Sequence, residues 1–190
     1  FVGYLEGWSR DGFGTEGSRR VVFSADSAHF LYFARRGTKS IIVIDGVEGA
    51  EYDEVHASEW NFKETPDLCP YLARSGKKWV VVAGGKEGKQ YDEVWTIETL
   101  EGKHLVYCAY EGGKCILVRD GVEGQRYDGI RVYDWDDNAQ PLLYALKKDG
   151  KWRFVSGGVE GTPYDHIGWP AQDSRRKHVA YVAEDGGKEF

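Results

Sequence analysis

The sequence predicts an all-β fold, a five-bladed β-propeller of four-stranded antiparallel blades whose last blade is closed jointly by the two chain ends. Three observations predict it. Glycine supplies 25 of the 190 residues, well above an average share of about 7%, and it clusters with Asp where turns are needed. A motif, Gly-x-Glu-Gly followed three residues later by Tyr-Asp, occurs four times. A tyrosine recurs in a second apolar segment of each unit, at Tyr32, Tyr71, Tyr107, Tyr144 and Tyr181, which makes five units.

The four motif copies start at Gly46, Gly85, Gly121 and Gly158 and carry Tyr52-Asp53, Tyr91-Asp92, Tyr127-Asp128 and Tyr164-Asp165, with spacings of 39, 36 and 37 residues. A fixed period of this length marks a repeat architecture. Within the first unit, residues 19–24 read as a strand and Ala25-Asp26-Ser27 as a turn. Residues 29–35 read as a second strand. Gly37 closes a hairpin onto a third strand at 40–44, Asp45-Gly46 begins another, and residues 51–55 read as the fourth. β-Branched and aromatic residues fill the strands, and Gly and Asp fill the turns. Four short strands in roughly 40 residues are the pattern of a propeller blade.

The blades are expected at 15–55, 56–94, 95–130, 131–167 and 168–190 plus 1–14, forming one domain. Phe1-Val2-Gly3-Tyr4-Leu5-Glu6-Gly7 is similar to the third strand and motif start at 42–49, so the amino end is expected to supply what the fifth unit lacks after Phe190. Sharing a blade between the termini removes exposed sheet edges. The chain has no Met and begins at Phe1, so a processed or trimmed product is expected.

Composition narrows the function. Apolar residues at 41% with 14% aromatics exclude a disordered chain. No apolar run approaches the length of a membrane span. The net charge of −6 argues against a nucleic-acid partner. Cys69, Cys108 and Cys115 are too few for a disulfide framework, and their spacing fits no zinc ribbon or finger. A monomer is expected.

Phe23-Ser24-Ala25-Asp26-Ser27-Ala28-His29-Phe30-Leu31-Tyr32 resembles the Ser-Pro-Asp-Gly-Lys-x-hydrophobic-Ala-Tyr repeat of TolB-like, WD-repeat-like bacterial β-propellers. Lys177-His178-Val179-Ala180-Tyr181 and Lys103-His104-Leu105-Val106-Tyr107 repeat its later half. The resemblance covers the chain at the level of its repeats. It implies a propeller and a mostly extracytoplasmic or scaffolding role, but no single activity. That family usually has six or more blades, and longer ones.

Repetition separates structural residues from functional ones. A Tyr-Asp pair present in every unit answers a need of every unit: the Asp can accept turn amides and the Tyr can pack between blades. The motif glutamates and the hairpin lysines Lys39, Lys78, Lys114, Lys151 and Lys188 read as solvated rims. Gly12-Phe13-Gly14-Thr15-Glu16-Gly17 matches a dinucleotide fingerprint, but a strand follows it where the chemistry needs a helix. There is no Gly-x-Ser-x-Gly, His-Glu-x-x-His or phosphate loop.

His29, His104 and His178 share one repeat position and read as structural. His56 and His166 do not, and are expected near the ends of outer strands before the loops that lead inward. Seven residues after the motif tyrosines stand Glu59, Glu98 and Asp134, with Glu16 in the shared blade and Asp173 two residues further along in the fourth connection. Such acids would ring a tunnel mouth and could hold a hard divalent cation such as Ca²⁺, with His56 as base. Trp60, Trp95, Trp135 and Trp169 fall in or beside the same connections. Trp95 and Trp169, with His166, are the candidates for an aromatic ligand site. The first expectation is therefore a module binding a small molecule, glycan or protein at the upper face and tunnel mouth. The second is a small divalent-metal-dependent hydrolase of phosphoesters or esters.

Overall fold

The computed structural model describes residues 21–57, 62–63, 65–100, 104–135, 141–156, 158–173 and 178–190; at 96, 97, 100, 134, 135, 141 and 142 it describes the backbone alone. The fold is all-β. The first sheet is β1 (Val22–Phe23), β2 (Phe30–Arg36), β3 (Lys39–Ile44) and β4 (Val47–Glu48). The second is β5 (Glu54–Ala57), β6 (Tyr71–Ser75), β7 (Lys78–Ala83) and β8 (Lys86–Tyr91). The third is β9 (Glu93–Leu100), β10 (His104–Glu111), β11 (Lys114–Arg119) and β12 (Val122–Tyr127). The fourth is β13 (Gly129–Trp135), β14 (Pro141–Lys148), β15 (Lys151–Ser156) and β16 (Val159–Tyr164). In each, strands lie side by side in chain order.

The fifth repeat is interrupted. Here β17 (His166–Ile167) pairs with β20 (Ala183–Asp185), and β18 (Ala171–Gln172) pairs with β19 (Val179–Ala180). The Gly168 amide bonds the Val182 carbonyl at 2.8 Å between the two ladders. β21 (Lys188–Glu189) closes a hairpin onto β20. Residues 1–14, expected to complete this unit, lie outside the described residues, as do residues 15–20.

Two compact units account for the contacts, Phe1–Ala109 and Tyr110–Phe190, with the boundary inside β10. The first buries Leu31, Ile42, Val55, Phe62, Val80 and Val82 in one cluster. The second buries Leu143, Ala145, Trp152, Phe154 and Ile167, with Tyr133, Tyr164 and Tyr181 packed against them. Third strands carry unbroken apolar runs because both faces are covered: Ile41, Ile42 and Val43 are at most 2% exposed, and Val80, Val81 and Val82 at most 3%. Among the described residues, no helix is long and apolar enough to cross a membrane.

The two glycines of the motif do different work. The first lies in the left-handed region in all four copies, with φ of +79° at Gly46, +71° at Gly85, +79° at Gly121 and +79° at Gly158. Asp45 and Asp120 before it are also left-handed, as a tight two-residue hairpin turn requires. The second glycine sits where the ladder slips by one residue, between Val80 and Val82, Ile116 and Val118, and Arg153 and Val155. There the backbone crowds in: a Cβ would stand 3.2 Å from the Ile42 carbonyl at Gly49, 3.2 Å from Val81 at Gly88 and 3.1 Å from Leu117 at Gly124.

One sequence expectation is corrected. Residues 51–55 do not form a fourth strand. β4 ends at Glu48, Tyr52 makes a lone bridge to Ser40, and residues 54–57 already belong to the second sheet. Single aspartates, Asp92, Asp128 and Asp165, join the later sheets. The sheets are therefore divided at the motif Asp, and the chain passes from it directly into the next sheet rather than into an inward loop.

Candidate functional site

The Tyr-Asp pairs lie where one sheet hands over to the next. The Asp receives the hairpin lysine of its own sheet: Lys39 to Asp53 at 2.6 Å, Lys78 to Asp92 at 2.7 Å, and Lys114 to Asp128. Lys151 reaches Asp165 at 2.6 Å and also Asp185 at 2.6 Å. The other carboxylate oxygen accepts a hairpin amide of the following sheet, from Gly76 to Asp53 at 2.7 Å and from Gly186 to Asp165 at 2.8 Å. The Lys39 ammonium beside Asp53, then the Gly76 amide, hold that carboxyl below its ordinary value. Lys151 and the Gly186 amide do the same to Asp165.

The Tyr packs edge-on to the second-strand tyrosine of the following sheet. Ring centroids are 6.4 Å apart at 72° for Tyr52 and Tyr71, 6.1 Å at 70° for Tyr91 and Tyr107, and 6.5 Å at 74° for Tyr164 and Tyr181. Edge-to-face pairs at this spacing are favourable. The Tyr52 hydroxyl donates to Glu87 Oε1 at 2.6 Å, and burial is the main reason its ionisation is pushed strongly upward. Both motif residues thus have the structural roles that their repetition implies.

His56 and His166, expected near the ends of outer strands, and Trp95, expected early in an inward loop, sit instead on first strands. His56 is in β5, Trp95 in β9 and His166 in β17. His56 and Trp95 occupy the same repeat position, and each turns back to the carboxylate two residues earlier, which alternation places on the same sheet face. His56 Nε2 lies 2.6 Å from Glu54 Oε1, and Trp95 Nε1 donates to Glu93 Oε2 at 2.9 Å. Arg74 also claims Glu54, at 2.9 Å from Nε and 2.8 Å from Nη2, and Trp79 lies beside both side chains, 5.5 Å from the His56 ring and 5.8 Å from the Arg74 guanidinium. His166 is exposed.

Trp169 follows β17 and is 64% exposed. Its ring meets Tyr133 at 5.1 Å and 73°. Tyr133 stacks on Phe154 at 5.6 Å, and Phe154 on Tyr181 at 4.5 Å. An exposed indole therefore stands on an aromatic stack whose centre, Phe154, is buried and whose two tyrosines are half-buried.

Of the proposed acidic ring, Glu16 and Glu59 lie outside the described residues, as does the Asp134 side chain. Glu98 is on β9 and Asp134 on β13. Asp173 binds within its own turn, accepting the His178 amide at 3.2 Å and meeting the His178 ring at 3.0 Å. Among the described residues, no three His, Cys, Asp or Glu side chains gather as a metal site.

Sequence reasoning missed a cleft of about 460 Å³ within residues 117–144, lined by parts of β11, β12, β13 and β14 and including Gly124, Gln125, Tyr127 and Tyr144. It lies where the third motif meets the fourth sheet's tyrosine. No protein-family model matches this chain, and no curated protein matches it.

Proposed function

We propose that this chain is a binding module, with its repeat sheets as the five blades of a propeller completed by the amino-terminal residues. It would engage a small molecule, glycan or protein at the upper face and tunnel mouth. The observation that carries this reading is Trp169: a large apolar ring, mostly exposed, fixed edge-on against Tyr133. A platform already held by its neighbours loses little freedom on binding, so its contact energy is retained. His166, exposed three residues earlier in the chain, is the second candidate residue for this reading. Trp95 is the corresponding candidate on β9.

The alternative is a divalent-metal-dependent hydrolase. It is favoured by the 2.6 Å contact that orients His56 on Glu54, an arrangement in which the carboxylate fixes the ring of a base. The cation would be held by carboxylates such as Glu16, Glu59, Glu98 and Asp134, and Ca²⁺ suits such oxygen ligands.

One pair of measurements separates the two. Glycan and peptide arrays probed with the chain and with Trp169→Ala should show binding that the variant loses. p-Nitrophenyl acetate and p-nitrophenyl phosphate should not turn over with EDTA or with added Ca²⁺, Zn²⁺ or Mn²⁺. Metal-dependent turnover lost in His56→Ala would overturn the binding reading in favour of the hydrolase.

A further inference from the structure

At the junctions Tyr52–Tyr71 and Tyr91–Tyr107 the repeat is sealed. These four tyrosines are 3%, 4%, 1% and 3% exposed. The following sheet's hydroxyl also covers the motif glycine: a Cβ would meet Tyr71 Oη at 3.4 Å from Gly49, and Tyr107 Oη at 3.7 Å from Gly88. Gly161 is covered in the same way by Tyr181 Oη at 3.7 Å. The junction of Tyr127 and Tyr144 departs from this. Both tyrosines are half-buried, as are Tyr164 and Tyr181, but a Cβ at Gly124 would meet only the Leu117 carbonyl within 4 Å, with no tyrosine hydroxyl over it. The Tyr127 hydroxyl turns back to Gln125 Oε1 of its own strand, at 3.0 Å. The cleft lies at this junction, beside Gly124, Gln125, Tyr127 and Tyr144.

We propose that this cleft binds a neutral saccharide. Its volume falls within the usual range for small-molecule sites, about 300–1,000 Å³. Its charges are answered from within the protein. Arg119 Nε lies 3.5 Å from Asp120 Oδ2, and Arg126 Nη2 lies 3.4 Å from Glu123 and 2.7 Å from Glu111. An ionic ligand would have to break into these pairs, whereas an uncharged one need not. Leu117, Ile130 and the two tyrosine rings offer apolar surface, and the Tyr144 hydroxyl and Gln125 carboxamide offer polar contacts. Because Gln125 Oε1 accepts from Tyr127, its amide N–H groups are the ones left to donate. Arg119 also lines the cleft, with its guanidinium already paired to Asp120. A pyranose combines the required features, an apolar C–H face and a rim of hydroxyls.

The inference does not depend on Trp169. Glucose, galactose, mannose, N-acetylglucosamine and their β-1,4-linked disaccharides, titrated against the full chain by saturation-transfer NMR and calorimetry, provide the test. At least one should bind, and Gln125→Ala should weaken it by about tenfold, the loss of one good hydrogen bond. Tyr144→Phe, which keeps the ring, should weaken it less. Trp169→Ala should leave this binding unchanged, which separates failure here from failure of the Trp169 surface. Glucuronic acid and glucosamine serve as charged controls; the proposal is overturned if no neutral sugar binds, if only the charged controls bind, or if binding ignores Gln125→Ala.

Discussion

The Asp53 carboxylate accepts a 2.7 Å hydrogen bond from the Gly76 amide, while its other oxygen holds Lys39 at 2.6 Å. One side chain therefore ties the hairpin of its own sheet to the hairpin of the next. Lys39, then Gly76, lower its proton affinity, and Asp128 and Asp165 are lowered mainly by Lys114 and Lys151. A carboxyl whose folded value lies below its unfolded value stabilises the fold above the unfolded value, about 3.9. That contribution is lost as pH falls through the folded value. Melting temperature should hold steady from neutral pH to about 5 and fall below about 4. Asp53→Ala should lower the neutral-pH plateau and flatten part of the acid decline. Asp53→Asn, which keeps an acceptor for Gly76, should recover part of the plateau but not the acid sensitivity.

The two motif glycines should fail differently when changed. At Gly46 a Cβ would meet nothing within 4 Å, so Ala there suffers only from the left-handed backbone at φ +79°; the cost should be about 1–2 kcal/mol. At Gly88 the φ is ordinary, but a Cβ would sit 3.2 Å from the Val81 carbonyl, with Tyr107 Oη at 3.7 Å. Overpacking of this kind costs about 1–3 kcal/mol. The separating measurement uses Asn, which tolerates left-handed backbone. Gly46→Asn should melt above Gly46→Ala, whereas Gly88→Asn should melt no higher than Gly88→Ala.

Repetition made the turns and the tyrosine contacts legible in the sequence, because each needs a particular residue at a fixed offset. The left-handed turn at Gly46 and the Tyr52–Tyr71 contact are examples. Strand limits were less legible. No glycine or proline separates Tyr52 from Val55, so the chain reads as one strand, although Asp53 ends one sheet's contribution and Glu54 starts another's. That error placed His56 and His166 at the ends of outer strands and Trp95 early in an inward loop, whereas each sits on the first strand of a sheet. The cleft was illegible for a different reason. Gln125 and Arg126 look like ordinary surface residues, and only their contacts show that Tyr127 has turned from the next sheet toward its own strand.

Phe154 links the core to the exposed indole. It is 4% exposed and stacks on both Tyr133 and Tyr181. Phe154→Leu keeps an apolar side chain but removes two ring contacts, each about 0.5–1.5 kcal/mol beyond area burial. The expected loss is about 1–3 kcal/mol in chemical denaturation. Because Tyr133 supports Trp169, the variant should also weaken whatever the Trp169 surface binds. A loss of stability with binding intact would show that Trp169 needs no support from the stack.

Alkaline pH should destabilise the first unit through two buried acids. Burial pushes the Cys69 thiol up to about 12 and the Tyr71 phenol up to about 12. Unfolded, the same groups ionise at about 8.5 and about 10. Between the unfolded and folded values the unfolded chain binds fewer protons than the native one, so stability falls as pH rises. Melting temperature should therefore decline from about pH 9 upward. Cys69→Ala should shallow the slope at its lower end, where the thiol titrates, and Tyr71→Phe should shallow it at higher pH. The thiol also reports directly. Cys69 is 3% exposed and Cys115 1%, and only a thiolate attacks a disulfide reagent. Ellman's reagent at about pH 8, just below the unperturbed thiol value, should find at most the half-buried Cys108 in the native chain, and all three cysteines after denaturation in guanidinium. Rapid labelling of Cys69 in the native state, together with a flat alkaline melting curve, would show that this part of the core is open to solvent.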